Sequence, residues 1–163
     1  MKKIVIIGAN DFQNQLILKA KEMGFETHVF AWQDGSIGER TADYFYPVSI
    51  VEIDEILEKC KEIKPDAVAT IASDLANITV SKVAAGLGLP GNTPECIEIS
   101  TNKYAMRSAF LKAGIPTPAF YKVDQVQDEL YKMKLPVIVK PTDRSGSRAI
   151  TKITDFKDLE GAI

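Results

Sequence analysis

The sequence is poor in the residues from which metal sites and nucleophilic triads are built. It has one histidine, His28, and two cysteines, Cys60 and Cys96. A single histidine leaves no histidine pair for a metal ion and supports no Ser-His-Asp set, and two cysteines make neither a disulfide framework nor a zinc site. We therefore expect His28 to have a structural role in a strand. Cys60 falls on the apolar stripe of a helix and is expected to be a buried thiol.

Long apolar runs and clusters of basic residues are also missing. No apolar run approaches the roughly 20 residues needed to span a bilayer, and the stretch after Lys3 is too short for a secretory signal. The net charge is −2, with Lys and Arg dispersed, which argues against nucleic acid or an anionic membrane as a partner. We infer a cytoplasmic protein whose 163 residues suffice for one domain and part of another.

What the first part of the chain does contain is an alternation of strands and helices. Residues 3–7 are a β-branched run typical of a strand buried on both faces. The remaining predictions are a helix at 11–23, strands at 27–32, 45–48 and 66–71, a polar loop at 33–41, and amphipathic helices at 53–63 and after Ser73. This order predicts an α/β fold with a doubly wound, Rossmann-like parallel sheet, which we assign to residues 1–92.

Ligands of doubly wound sheets bind beyond the carboxyl ends of the strands. The substrate-side candidates at such positions are Gly8, Asn10 and Asp74. A nicotinamide or flavin site is disfavoured, because Asn10 and Gln13 stand where a dinucleotide fingerprint needs its second and third glycines. At the first of these positions a helix cap by Asn10 or Asp11 is favoured over a substrate contact. At the second, a plain cap by Ser73 or Asp74 explains the residues about as well as a substrate role does.

The composition changes after residue 89. A turn-rich connector, Pro90–Pro94, leads to a helix that Thr101 is predicted to cap and Gly114 to end. Then follow an extended segment at 120–123, a helix at 125–133, a strand that ends at Lys140, a loop, a strand at 149–153 and a helix from residue 155. One helix with a small sheet buries little apolar surface. We therefore expect residues 93–163 to be an unfinished domain and the chain to be the N-terminal part of a longer protein.

Two lysines stand out in this second part. Lys140 ends a Val-Ile-Val strand, and the loop from Asp143 to Arg148 carries two arginines, two serines and a glycine, which suits an anion such as a nucleotide phosphate. Lys103 lies in the first turn of a helix, where the helix dipole disfavours a cation unless an anion is near. Spacing alone does not separate this interpretation from one in which both lysines are solvated.

Four segments taken together, in order and spacing, resemble the ATP-grasp ligases. They are Thr101–Arg107, Ala113–Pro118, Pro136–Pro141 and Ser145–Arg148. The order and spacing look like those of the group of carbamoyl-phosphate synthase, biotin carboxylase and phosphoribosylaminoimidazole carboxylase. The doubly wound unit also resembles the preceding domain of that group. The resemblance implies a pre-ATP-grasp domain followed by the first, incomplete part of an ATP-grasp domain.

The resemblance also implies roles for residues. By match to the family, Lys103 and Lys140 contact the nucleotide phosphates. The loop that closes over those phosphates would contain Ser145, Gly146, Ser147 and Arg148. The magnesium ligands of the family would lie beyond Ile163, so no catalytic residue and no metal ligand is assigned within this chain.

The implied reaction is ATP-dependent ligation, with ATP and Mg²⁺ as cofactors in the complete enzyme. A carboxylate or bicarbonate forms an acyl phosphate, which an amine then attacks. The expected partners are these small molecules, without nucleic acid or membrane, and a homodimer is left open as the oligomeric state. Because the second half of the ATP site is lacking, we do not expect this chain alone to be catalytic. The alternative function is a non-catalytic module that binds a nucleotide or small ligand and is completed by a partner chain.

Overall fold

The computed structural model describes residues 1–144, 146 and 149–163. The strands in this part of the chain are β1 (Lys3–Ile7), β2 (Glu26–Phe30), β3 (Tyr44–Tyr46), β4 (Ala67–Ala69), β5 (Val137–Val139) and β6 (Thr151–Ile153). The α-helices are α1 (Asp11–Glu22), α2 (Ile37–Thr41), α3 (Ile53–Ile63), α4 (Asp74–Gly86), α5 (Pro94–Thr101) and α6 (Lys103–Lys112). The chain divides into two compact units, Met1–Ile97 and Glu98–Ile163.

The first unit contains a four-stranded sheet in the order β3-β2-β1-β4. Every pairing in it is parallel, with Val5 opposite His28 of β2 and Val68 of β4. Parallel neighbours need crossover connections, and the helices between the strands supply them. The predicted α/β class with a doubly wound parallel sheet is therefore confirmed.

The central strand β1 is buried on both faces, as its β-branched composition predicts. Val5 and Ile7 pack with Phe30 in the cluster that includes Ile56 and Cys60 of α3. On the opposite face, Ile6 packs with residues of α1 and β2. The Cys60 thiol is fully buried, and this burial raises its pKa to about 12. The expectation of a buried thiol is confirmed, and a thiol with so high a pKa is a poor nucleophile at neutral pH.

His28 is a buried member of β2. Its Nε2 atom lies 2.8 Å from Oε1 of Glu26, and its Nδ1 atom lies 2.9 Å from the hydroxyl oxygen of Tyr46. The imidazole ring also stacks on Tyr44, with the ring centroids 4.7 Å apart. Both ring nitrogens are thus engaged within the sheet, which is the structural role expected from the sequence.

The segment 33–41, predicted as a polar loop, contains the short helix α2, so that prediction was wrong. The Gly38 amide donates to the Ala9 carbonyl at 2.9 Å. A Cβ atom on Gly38 would lie 2.6 Å from the same carbonyl oxygen, so only glycine allows this approach. The Glu39 carboxylate accepts hydrogen bonds from the amides of Asp34, Gly35 and Ser36. These contacts depend on the folded neighbourhood, which a pattern of apolar residues does not report.

The second unit has a two-stranded antiparallel sheet in which Val137 of β5 lies opposite Ile153 of β6. Its core is the cluster of Leu130, Ile153 and Leu159. The N-cap of α6 is Asn102, one residue later than predicted, and its Oδ1 atom accepts from the amides of Tyr104 and Ala105.

Two further predictions in this unit were wrong. The predicted helix at 125–133 is a 3-10 helix over Asp128–Lys132, and two short 3-10 helices follow Asp155 where an α-helix was expected. Both segments lie in the part of the chain with few buried side chains, so packing does little to support regular structure there. Among the described residues, no helix has the length and apolarity needed to cross a lipid bilayer.

Candidate functional site

Lys103 fixes the start of α6 to the loop that follows β5. Its backbone amide donates to the Thr142 carbonyl at 2.8 Å, and its side-chain ammonium donates to the carbonyl of Arg144. The two predicted phosphate-binding lysines therefore belong to neighbouring elements, since Lys140 stands only two residues before Thr142.

Lys140 follows the last residue of β5 and is exposed. Among the described residues, no hydrogen bond or ion pair engages its ammonium group. The first amides of α6 are already taken by the Asn102 side chain. An anion at this place would therefore be held by lysine side chains rather than by those amides.

The predicted phosphate-covering loop is described only in part. Gly146 is exposed and has φ +70°, a left-handed backbone conformation that favours glycine. Ser145, Ser147 and Arg148 lie outside the described residues. The role of these four residues stays a prediction.

A wide groove in the second unit carries none of the predicted site residues. It has a volume of about 680 Å³ and runs between α6 and residues 117–122, with Tyr104, Leu111 and Phe120 in its lining. Arg107, one turn after Lys103, donates to the Thr117 hydroxyl at 2.9 Å and holds the end of this segment to α6. The lining also contains Ser108, Lys112 and Lys122, but none of the site residues predicted from the sequence.

The first unit has a smaller cavity, of about 150 Å³, where β1, β2 and β4 end. Two of the three substrate-side candidates, Gly8 and Asn10, line it. The other lining residues are Ala9, Gln13, Ala31, Trp32, Asp34, Ser36, Ile50, Ser73 and Ala76. Asp74 is exposed at the first position of α4 and is not part of this lining. Its predicted substrate role stays a prediction.

Two polar residues of the cavity also cap helices. Asn10 Oδ1 accepts from the Phe12 amide at 3.0 Å, and Ser73 Oγ accepts from the Ala76 amide at 3.2 Å. The capping interpretation of both residues is therefore confirmed. A side chain that caps a helix can still present its remaining atoms to a ligand, so these bonds leave the substrate-side prediction untested.

The loop after Trp32, which contains Asp34, was one of the ligand positions expected at the strand ends, although neither Trp32 nor Asp34 was named as a candidate residue. Both residues lie in the segment that follows β2. Asp34 is an exposed carboxylate whose pKa is lowered by hydrogen bonds from the Ser36 hydroxyl and amide. It is therefore negatively charged at neutral pH. Among the described residues, no three His, Cys, Asp or Glu side chains cluster in a way that could hold a metal ion.

The chain is therefore an α/β protein in which a doubly wound unit is followed by a strand and loop that carry Lys140. No protein-family model matches the sequence. The carbamoyl phosphate synthase large chain of Mycobacterium sp. (strain JLS) is 28% identical over 156 residues, which are 87% of this chain and 14% of that protein.

Solved structures of similar fold include proteins of the same kind. The N5-carboxyaminoimidazole ribonucleotide synthetase of Thermotoga maritima is 26% identical, with a TM-score of 0.81 over 100% of this chain and 44% of that one. The biotin carboxylase domain of the Hydrogenobacter thermophilus 2-oxoglutarate carboxylase, solved as a dimer with MgADP, ADP and bicarbonate, shares the fold. It has a TM-score of 0.76 at 18% identity over 99% of this chain and 40% of that one.

The sequence relatives and structural neighbours of this chain are ATP-grasp ligases, as the resemblance of its motifs predicted. These relatives are ATP-dependent enzymes that act on small molecules. The chain covers their N-terminal portion and spans less than half of the length of the curated relatives that it matches.

Proposed function

We propose that this chain is the N-terminal part of a cytoplasmic ATP-dependent carboxylate–amine ligase of the carbamoyl-phosphate synthase-like type. In this assignment, residues 1–92 form the pre-ATP-grasp domain and residues 93–163 begin the ATP-grasp domain. The chain by itself binds substrate groups but does not complete catalysis. The remaining groups around the nucleotide, including the ligands of Mg²⁺, come from the rest of the ATP-grasp domain.

One observation carries the proposal, namely the attachment of the first turn of α6 to the loop after β5. The Lys103 amide and ammonium both donate to carbonyls of that loop. This contact brings the helix that carries Lys103 beside the strand end that carries Lys140. Two cationic side chains on adjoining elements fit the charge of a polyphosphate, because ammonium groups hydrogen-bond anionic oxygens strongly.

The reaction has two steps. An oxygen of the carboxylate or bicarbonate attacks the γ-phosphorus of ATP, ADP leaves, and an acyl phosphate forms. The amine nitrogen then attacks the acyl carbon, phosphate leaves, and the nitrogen loses a proton to give the C–N bond. Lys140 offsets the negative charge on the phosphoryl oxygens during transfer, and Lys103 holds the phosphates in place. Bound Mg²⁺ would supply further neutralisation of the phosphate charge.

The test is ADP release by the native protein from its source cells, assayed with panels of carboxylic acids and amines in the presence of Mg²⁺. The Lys140→Ala variant should lower the rate of ADP release by about 100-fold or more, since it removes a positioned cation. Lys134→Ala is the matched control, because Lys134 is also an exposed lysine but precedes β5. A Lys140→Ala enzyme that releases ADP at the wild-type rate would exclude the proposed role.

The second candidate function is a non-catalytic module that binds a nucleotide or small ligand, with a partner chain completing the site. The cavity at the ends of β1, β2 and β4 favours it, since this cavity is lined by the first unit alone. Mg²⁺-dependent ADP production by the native protein would decide for the ligase. Ligand binding without ADP production on any acid and amine pair would decide for the module.

A further inference from the structure

We propose that the cavity of the first unit binds a protonated primary amine, with Gln13 Oε1 as the hydrogen-bond acceptor and the Asp34 carboxylate as the balancing charge. This inference rests on the proposed function, in which an amine is one of the substrates. It assigns a chemical class of ligand to the cavity and makes Gln13 a specificity-determining residue.

The orientation of the Gln13 amide is fixed by its surroundings. Gln13 is only 1% exposed, and its Nε2 atom donates to the carbonyl oxygen of Ile71. A carbonyl can only accept, so the NH₂ group must face Ile71 and the amide oxygen must point elsewhere. Oε1 is therefore committed to the role of acceptor.

That oxygen is open to the cavity. None of the described residues donates a hydrogen bond to Oε1. Every described side-chain polar atom that is closed to solvent has a hydrogen-bond partner, so Oε1 must be accessible from the cavity. Oε1 lies 3.2 Å from the place where a Cβ atom on Gly8 would stand. Because Gly8 has no side chain, this acceptor stays uncovered inside a residue that is otherwise buried. Water in the cavity can reach this acceptor, and a ligand that enters the cavity has to replace the hydrogen bond of that water, which favours a ligand that donates to Oε1.

The charge of the cavity lining determines which kind of hydrogen-bond donor is favoured as a ligand. Asp34 is the one charged residue among the described residues that line the cavity. The Ser36 hydroxyl and amide hold the pKa of this carboxyl below its usual value, so it is ionised at neutral pH. An ammonium group gains from both Oε1 and the carboxylate, a hydroxyl gains from Oε1 alone, and a carboxylate ligand is repelled. At about 150 Å³ the cavity holds only a small group, on the order of five water-sized atoms.

The chain contains its own reporter for this cavity. Trp32 is the single tryptophan of the sequence, lines the cavity and is 68% exposed. Because Trp32 lines the cavity, we expect its fluorescence to change when a ligand occupies the cavity. The experiment titrates the chain at pH 7 and constant ionic strength with propylamine, 1-propanol and sodium propionate, three probes of equal carbon number. N-acetyltryptophanamide measures quenching by the probes in solution.

The expected result is a saturable change in Trp32 emission with propylamine, a weaker one with 1-propanol and none with propionate. Gln13→Leu, which keeps the size of the side chain, should weaken propylamine binding by at least about fivefold. Asp34→Asn should reduce the preference for propylamine over 1-propanol. Gln15→Leu is the matched control on α1, because Gln15 is exposed and outside the cavity, and should bind as the wild type does.

Two results would overturn the inference. One is propionate binding as tightly as propylamine to the wild-type chain, a comparison that needs no variant to fold. The other is a folded Gln13→Leu variant that binds propylamine with wild-type affinity. Because the readout is equilibrium binding, its failure leaves the ligase proposal to be judged by ADP release. Absence of ADP release would likewise leave the amine site standing.

Discussion

The two units of this chain bury their side chains very differently. In the first unit a parallel sheet is covered on both faces, and Val5, Ile6 and Ile7 of its central strand are fully buried. In the second unit the described buried apolar residues are Leu130, Ile153 and Leu159. Its main helix, α6, has no buried residue, and Leu111 is 65% exposed. The first unit therefore has a large core covered on both faces of a sheet, whereas the core of the second unit is a small cluster to which its main helix contributes no buried residue.

The largest effect should come from breaking the core of the first unit. Phe30 is fully buried and stacks on Tyr46, with the ring centroids 4.6 Å apart. Phe30→Ala should lower the free energy of unfolding by about 3–5 kcal/mol, because the cavity left behind is enclosed by the sheet and its helices. Urea denaturation followed by Trp32 fluorescence measures this, since Trp32 is in the same unit. Leu111→Ala is the exposed counterpart and should leave the midpoint unchanged.

The second unit should respond locally to loss of its own core. Ile153 is fully buried in the cluster with Leu130 and Leu159. Ile153→Ala should cost roughly 2–3 kcal/mol, at the low end for such a change, because a small cluster can collapse around the missing atoms. Hydrogen exchange should rise for the amides of β5 and β6, while the Trp32 unfolding midpoint stays in place. An equal shift of that midpoint would mean that the two units unfold together.

Each unit has a helix that begins with an asparagine N-cap, so the same substitution can be compared in the two units. Asn10 caps α1 in the first unit and Asn102 caps α6 in the second, each through Oδ1 and two backbone amides. Replacement by alanine should cost about 1 kcal/mol in each case. For Asn10→Ala the loss should appear in the Trp32 midpoint. For Asn102→Ala it should appear as faster hydrogen exchange in the first turn of α6 only. The idea fails if both variants give the same pattern.

The smallest effect is an acid sensitivity of the first unit. Asp43 Oδ1 lies 2.8 Å from Lys21 Nζ, and Oδ2 accepts from the amide and hydroxyl of Thr27 at 2.9 Å each. Partial burial raises the pKa of Asp43, but the bonds from Lys21 and Thr27 outweigh it and leave this pKa below its usual value.

A carboxyl whose pKa is lower in the folded state stabilises that state above the unfolded pKa, about 3.9. The stabilisation is lost as the pH falls through the folded pKa. Asp43→Asn should therefore flatten the decrease in stability between pH 5 and pH 2, by less than about 1 kcal/mol because the pair is partly exposed. Urea midpoints of both proteins across this range measure the difference. Parallel curves would contradict the assignment.

Features that repeat along the chain could be predicted from the sequence, and features made by distant contacts could not. The run of Ile and Val in β1, the apolar stripe that carries Cys60 and the caps at Asn10 and Ser73 are local signals, and the structure has all of them. Helix α2 was missed because the contact of Gly38 with Ala9 holds it in place. One local signal was nevertheless present, since Ser36 followed three residues later by Glu39 is the pattern of a capping box.

The candidate sites likewise combine residues that local sequence signals could identify with contacts that only the folded structure shows. Lys103 and Lys140 could be selected because their sequence surroundings resemble a known family, but the contact between Lys103 and the loop after β5 required coordinates. In the first unit, Gly8 and Asn10 were found from their place after a strand. Gln13 was noted only as a departure from a glycine fingerprint. Its open acceptor depends on the Ile71 carbonyl, 58 residues away in sequence, and no local pattern reports that partner.

The close fit of Gln13 against Gly8 restricts how this protein can diverge. A methyl group on Gly8 would stand 3.0 Å from Cδ of Gln13, and the Gly8 backbone has φ +100°. A side chain at position 8 would strain the backbone and press on Gln13, so we expect a change at position 8 to be accompanied by a smaller residue at position 13. Among descendants of a common ancestor, the two positions should be inherited as a pair.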